Sequence, residues 1–257
     1  MLVAERYASS MQLAEPFIWT FGDATSILLS SLMLILLFMD LPKLNLFTPY
    51  LLVRTKKSRW LLAQFLYIFL ATALYMGYIF LVTSLLCMKK TFFGNVWSKT
   101  AALLAYSSMG KDLSVPSTVK VMESTTPYGC MLQMITLLLF YALTLSFLML
   151  YAQMKKGKKA AIGAGLAYSL FGFLLDPQVL AKLLHKEEYE MYQIRKLLGW
   201  VSPLNHATYK MHDFGYDALP AIWQSCLLFL LLLLLLAALS FGTLKKYNFN
   251  SFTGESQ

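Results

Sequence analysis

Five stretches of this chain are apolar for long enough to cross a bilayer, and short polar or basic segments separate them. A helix rises 1.5 Å per residue, so roughly 20 apolar residues cover a hydrocarbon core of about 30 Å. The stretches are 17–39, 60–87, 130–153, 160–175 and 221–244. The fourth is the shortest and carries Gly163, Gly165 and Gly172. Inside lipid a backbone N–H or C=O finds no water, so each stretch must satisfy its own hydrogen bonds as a helix. The pattern therefore predicts an all-α, polytopic integral membrane helix bundle, a single domain over 1–257 with about five visible spans. Composition agrees: 58% of residues are hydrophobic and 14% charged, where soluble chains carry about a quarter charged.

The loops orient the bundle. Lys43, Arg54, Lys56, Lys57 and Arg59 lie in the loop 40–59, Lys155, Lys156, Lys158 and Lys159 in the third turn, and Lys245 and Lys246 after the last span. If the spans alternate, these segments share one side, with eleven of the 22 basic residues but only Asp40 and Glu255 of the 13 acidic ones. The formal charge of +9 thus sits on one face while the other is neutral. Basic residues beside spans favour the cytoplasm, so this face is expected inside, with the C-terminus. The same placement argues for orientation signals and against nucleic-acid binding.

On that scheme the N-terminus is outside, and the opening MLVAERYASSMQLAEP reads as a loop rather than a signal peptide. The outer segments 88–129 and 176–220 are too long for turns. The first predicts a short helix over 95–108. In the second, Val179, Leu180, Leu183, Leu184, Tyr189, Met191 and Ile194 alternate with Lys and Glu at helical spacing. An amphipathic or re-entrant outer helix follows, with Trp200 as its interfacial anchor.

Catalytic chemistry is not evident. The chain has no HExxH and no GxSxG. His185, His206 and His212 all fall in the last outer loop, and the neighbouring pair His212 and Asp213 reads as solvated loop rather than a metal site. The segment 94–100, GNVWSKT, lacks the second glycine of a phosphate loop and lies on the outer side. Asp23 is the one ionisable residue near a span interior, and its place close to the outer end predicts an interfacial role rather than a proton relay. Gln64, Thr136, Tyr141, Thr144, Ser146, Tyr168 and Ser169 are suited to hydrogen bonds between helices. Cys87 and Cys130 fall at outer ends of neighbouring spans, where a disulfide is one option and buried free thiols the commoner one; Cys226 stands apart.

The inner loop is the most informative segment. Pro42 stops the first span, Pro49 can seat a new helical turn, and Tyr50, Leu51, Leu52 and Val53 make an apolar strip beside Arg54, Lys56, Lys57 and Arg59. A surface helix joined to the second span would pass a push from a soluble partner to that span. With Asp40-Leu41-Pro42, Arg54-Thr55-Lys56-Lys57-Ser58-Arg59-Trp60, the basic third turn and Ser202-Pro203-Leu204-Asn205-His206 before the last span, the chain resembles the permease subunit of type-2 ATP-binding-cassette exporters. The resemblance is to the branch of lantibiotic and bacteriocin protection, and it covers about 17–247.

That resemblance implies six spans, of which the family's first has no counterpart here, so this chain would match spans two to six. It assigns an ATPase-coupling helix over 50–58, with Tyr50, Leu51, Arg54, Thr55, Lys56, Lys57 and Ser58, and an outer gate of re-entrant helices over 178–206, with Trp200, Pro203 and His206. The implied function is outward transport of a hydrophobic peptide or lipid-like substrate across a bacterial cytoplasmic membrane, and so antimicrobial peptide resistance. The permease itself would be no enzyme and would hold no cofactor; ATP and Mg would bind the partner ATP-binding cassette subunits. A second permease copy or a paralogue would complete a dimer, with membrane lipid around it. The alternative is a membrane-embedded sensor or scaffold without its own transport path.

Overall fold

The computed structural model describes residues 10–42, 54–107, 119–174, 191–215, 218–245 and 247. Almost all of these are helical. In chain order the elements are β1 (Met11–Gln12), α1 (Glu15–Phe21), α2 (Ala24–Phe38), α3 (Lys57–Cys87), β2 (Thr91–Phe92), α4 (Lys99–Tyr106), α5 (Val119–Ser124), α6 (Pro127–Lys156), α7 (Lys158–Leu174), α8 (Met191–Val201), α9 (Pro203–Ala207) and α10 (Ile222–Leu244). Short 3-10 turns cover Met88–Lys90 and Tyr209–Met211.

Three helices, α3, α6 and α10, are long and apolar enough to cross a membrane, and a fourth crossing exists if α1 and α2 count as one broken span. The sequence predicts one continuous helix over 17–39, whereas the chain bends by 82° between α1 and α2. The cause is local. Asp23 leaves the helical region and its carboxylate accepts the Thr25 N–H at 3.2 Å, capping a new helix instead of continuing the old one. At 15 residues α2 covers only about 22 Å by itself. Helix α7, at 17 residues, is likewise short for a crossing.

Helices α2, α3, α6, α7 and α10 nonetheless alternate between two ends of the bundle. At the basic end Lys158 pairs with Asp40 at 2.6 Å, and Trp60 stacks on Tyr247 with ring centroids 6.4 Å apart. Gly157, with φ of +87°, makes the tight turn from α6 to α7, a backbone state that other residues enter only with strain. At the opposite, cap end β1 pairs in parallel with β2, Met11 beside Thr91 and Gln12 beside Phe92. Lys210 reaches Asp23 there at 2.9 Å.

Helix α6 is the axis of the core: most of its central stretch is buried, whereas α3 and α10 keep most of theirs exposed. Phe65 of α3 stacks on Phe147 of α6 at 4.5 Å and meets Phe241 of α10 edge-on at 5.9 Å, joining three helices through one ring. Phe65→Ala is expected to destabilise the bundle by about 2–3 kcal/mol, toward the low end for large-to-small changes because Phe65 is only partly buried. Thermal unfolding in detergent checks it, and an unchanged midpoint would remove this cluster from the core account.

Of the seven polar residues expected to join helices, three serve their own. Thr136, Thr144 and Ser146 each donate to the carbonyl four residues back, at 2.9, 2.8 and 2.7 Å. A hydroxyl can satisfy itself this way in lipid with no neighbour. Between helices, the Ser30 and Tyr75 hydroxyls lie 3.2 Å apart across α2 and α3. Cys87, Cys130 and Cys226 are free thiols.

Candidate functional site at the cap end

The segment 191–212 closes the cap end, and its placement starts with local signals. Helix α8 carries Ile194 and Leu198 inward with Gln193 and Lys196 outward, an amphipathic division in which Tyr192, Leu197 and Trp200 are also exposed. The expected helix over the loop is thus present from Met191 onward; Val179, Leu180, Leu183, Leu184 and Tyr189 lie outside the described residues. Ser202 then caps α9, its Oγ accepting the Asn205 N–H at 3.3 Å, and Pro203 occupies the first turn, where a missing N–H does no harm.

Helix α9 is a five-residue wedge pressed against α7, α6 and α2, with Leu204, His206 and Ala207 buried. The approach to α7 depends on Gly172. A Cβ at that position would overlap the Ser202 hydroxyl and lie 2.7 Å from Leu204 Cβ. The 3-10 turn after the wedge is fastened on both flanks, by Tyr209 Oη donating to Gln133 Oε1 at 2.6 Å and by Lys210 on Asp23.

Two imidazoles meet at the base of the wedge. His206 Nδ1 lies 2.7 Å and His212 Nε2 2.9 Å from the same Ser225 Oγ, in the first turns of α10. Their outer nitrogens face carbonyls: His206 Nε2 is 2.9 Å from Trp200 O, and His212 Nδ1 is 3.1 Å from Tyr209 O and 3.2 Å from Thr208 O. A carbonyl only accepts, so each ring carries its proton on the carbonyl side. Phe229, one turn further along α10, covers the site with its ring 6.1 Å from that of His206.

His206, His212 and Ser225 are all fully buried or nearly so. Burial pushes the His206 pKa down, with the Trp200 carbonyl opposing. Burial pushes His212 down to about 4, against the Tyr209 carbonyl and with His206 and Lys120 adding like charge. The reading of His212 as solvated loop is thereby corrected, since a wedge packed on three helices covers it. Asp213 is turned away, its Oδ1 accepting the Gly215 N–H at 2.7 Å. Ser225 is enclosed, and its contacts with both rings tie the wedge and the 3-10 turn to α10.

Of the residues singled out by sequence, His206 lies in this cluster and Pro203 starts the wedge. Trp200 stays 41% exposed, and its Nε1 donates to Ala218 O at 3.4 Å. His212 and Ser225 were missed; the available signal was a second histidine six residues on, followed by a serine one turn into the last span.

At the basic end Arg54 is helical, Thr55 bends, and Lys56 caps α3, so Lys57 and Ser58 belong to the first turn of α3 itself. All five are exposed, as is Arg59. Tyr50 and Leu51 lie outside the described residues. The expected single helix over 50–58 is thus divided at Thr55, where an extended cap at Lys56 restarts the helix.

A second cap-end feature also escaped the sequence. Glu15, read as part of a loop, is fully buried, and its carboxylate accepts three bonds: Ser98 N at 2.8 Å, Ser98 Oγ at 2.7 Å and Gln12 N at 3.0 Å. The segment 94–100 therefore does present a helix N-terminus to an anion, and the anion is the protein's own glutamate. Among the described residues no group of three metal-type ligands occurs. No model of a protein family, no curated protein and no solved structure matches this chain.

Proposed function

We propose that this chain is the membrane-spanning permease subunit of an ATP-driven exporter of the type-2 class. It moves a hydrophobic peptide or lipid-like substrate outward across a bacterial cytoplasmic membrane, with its basic end in the cytoplasm. ATP is hydrolysed on separate ATP-binding cassette subunits, and a second permease copy or paralogue completes the path.

The observation that carries this reading is mechanical continuity between the two ends. The exposed residues Lys57 to Arg59 form the first turn of α3, with Arg54 and Lys56 just ahead of it, and α3 is a helix of 31 residues and so about 46 Å long. Its far end continues through the 3-10 turn into β2, which pairs with β1 beside the buried Glu15. A displacement of the basic surface by a soluble motor would reach the cap as a rigid-body shift, because helices transmit axial load with little bending. The exposed apolar faces of α3 and α10, including Leu66, Leu74, Trp223 and Leu234, suit lipid contact or a second copy.

The test is charge reversal of Arg54, Lys56 and Lys57 to Glu in the chain co-expressed with candidate ATP-binding cassette subunits from its own source. Substrate-stimulated ATPase should fall by about tenfold or more while insertion and yield are retained, since exposed side chains contribute little to folding. Unchanged stimulation, or failure of any such ATPase to co-purify with the unaltered chain, would turn the reading toward a sensor or scaffold.

A further inference from the structure

The cluster at the base of the wedge has four polar contacts and too few protons to fill them. Each contact needs one hydrogen between its heavy atoms: His206 to Trp200 O, His212 to the paired Tyr209 and Thr208 carbonyls, His206 to Ser225, and His212 to Ser225. Two neutral imidazoles and one hydroxyl supply three. The carbonyls claim both ring protons, so the nitrogens facing Ser225 both present lone pairs. Ser225 can donate to one of them, and its oxygen then faces the other lone pair to lone pair at under 3 Å.

A fourth proton completes the set: one ring becomes an imidazolium and donates to Ser225, which donates onward to the other ring. We propose that His206, Ser225 and His212 form a site that binds one proton, and that the geometry with both rings on Ser225 is its protonated form. Loss of the proton releases one ring from Ser225 and with it one tie between the wedge and α10. The ligand is a proton taken from the outer face, and the site makes the cap sensitive to external pH. This stands whether or not the chain couples to an ATPase.

The surroundings oppose the added charge. From α5, Lys120 donates to the His212 carbonyl at 2.9 Å and lies over the Phe214 ring, and its charge disfavours an imidazolium. Burial acts in the same direction on both rings. Lys210 on the 3-10 turn is engaged by Asp23, Asp213 follows His212 on the outer side, and Lys196 of α8 is exposed. Tyr209 packs beside His212 and has its hydroxyl on Gln133 of α6, where Cys130 also lies near it. Cys226 neighbours Ser225 on α10, while Tyr141 and Tyr168 lie deeper, beyond Phe229. The completed hydrogen-bond set favours the charged form against these, and because the rings share one proton they titrate as a pair.

The chain has three histidines, so ¹⁵N-histidine NMR of the full chain in lipid nanodiscs reads each ring, with His185→Gln assigning the third. Between pH 8 and 3.5 the pair should take up one proton together, with a midpoint below that of a free imidazole, while His206 keeps its Nε2–H and His212 its Nδ1–H. Ser225→Ala should lower that midpoint by about one unit, a tenfold loss of proton affinity, and Ser225→Thr, which keeps the hydroxyl, should restore it. Two rings that stay neutral throughout, rings that titrate independently, or a Ser225→Ala profile equal to the unaltered one would each overturn the proposal. If Ser225→Ala fails to fold, the tautomers and proton count of the unaltered chain and of Ser225→Thr still decide.

Discussion

Gly172→Val should detach the cap from the bundle while leaving the long helices in place. A side chain at position 172 has no room: its Cβ would overlap the Ser202 hydroxyl and lie 2.7 Å from Leu204 Cβ. These obstacles belong to the capping residue and first turn of α9, so they are not the yielding tip of a flexible side chain. Either α7 moves away from α9 or the wedge is expelled, and an overpacked contact of this kind costs about 1–3 kcal/mol for the first carbon, more for a β-branched residue. Expulsion would also uncover His206 and His212. The expected result is fast amide exchange over 202–212 with α3 and α6 still protected, and a lowered melting temperature in detergent. Gly172→Ala should give the same pattern at smaller amplitude. Gly163, on the same helix, has nothing within 4 Å of its Cβ position, so Gly163→Ala should stabilise α7 by about 0.5–1 kcal/mol through helix propensity. Equal behaviour of the two alanine variants would refute the close-packing account.

Glu15→Ala is the second large change expected. Removing the carboxylate strips the partner from a buried backbone N–H and a buried hydroxyl of Ser98 and from the Gln12 N–H. A buried donor left unpaired costs about 1–3 kcal/mol, and three share this one acceptor group, so a loss of about 3–4 kcal/mol is expected. Glu15→Gln keeps one oxygen and should fall between. Because Ser98 also caps α4 by accepting the Ala101 N–H at 3.0 Å, Ser98→Ala loses two functions, and a cycle combining it with Glu15→Ala should show coupling of about 1–3 kcal/mol. The separation of 83 residues between the partners makes the clip a long-range tie, so limited proteolysis between β2 and α4 should accelerate in Glu15→Ala. Unaltered proteolysis and melting would mean that the cap end is held by its apolar contacts alone. The half-buried pair of Lys210 and Asp23 is expected to matter less, since partly solvated ion pairs contribute about 0.2–1 kcal/mol.

Hydrophobic run length is a property of neighbouring residues, which is why the apolar stretches and the one-sided distribution of lysine and arginine were legible without coordinates. The helices α3, α6 and α10 fall where the apolar runs at 60–87, 130–153 and 221–244 put them, each a few residues longer or nearly the same. The basic segments 54–59, 155–159 and 245 converge on one end for the same reason: alternation of spans follows from chain order. What tertiary structure alone decided involves residues far apart in sequence. The break at Asp23 is invisible to hydropathy because one carboxylate among apolar residues reads as a tolerated charge until it caps Thr25 and meets Lys210, 187 residues away. Glu15 reads as a loop residue until Ser98 is placed beside it. His212 reads as solvated until the wedge, admitted by the bare backbone at Gly172, closes over it and presents Ser225 to both rings. Burial of a polar group is set by what packs on it, and that is decided by contacts across the bundle rather than by the residues on either side.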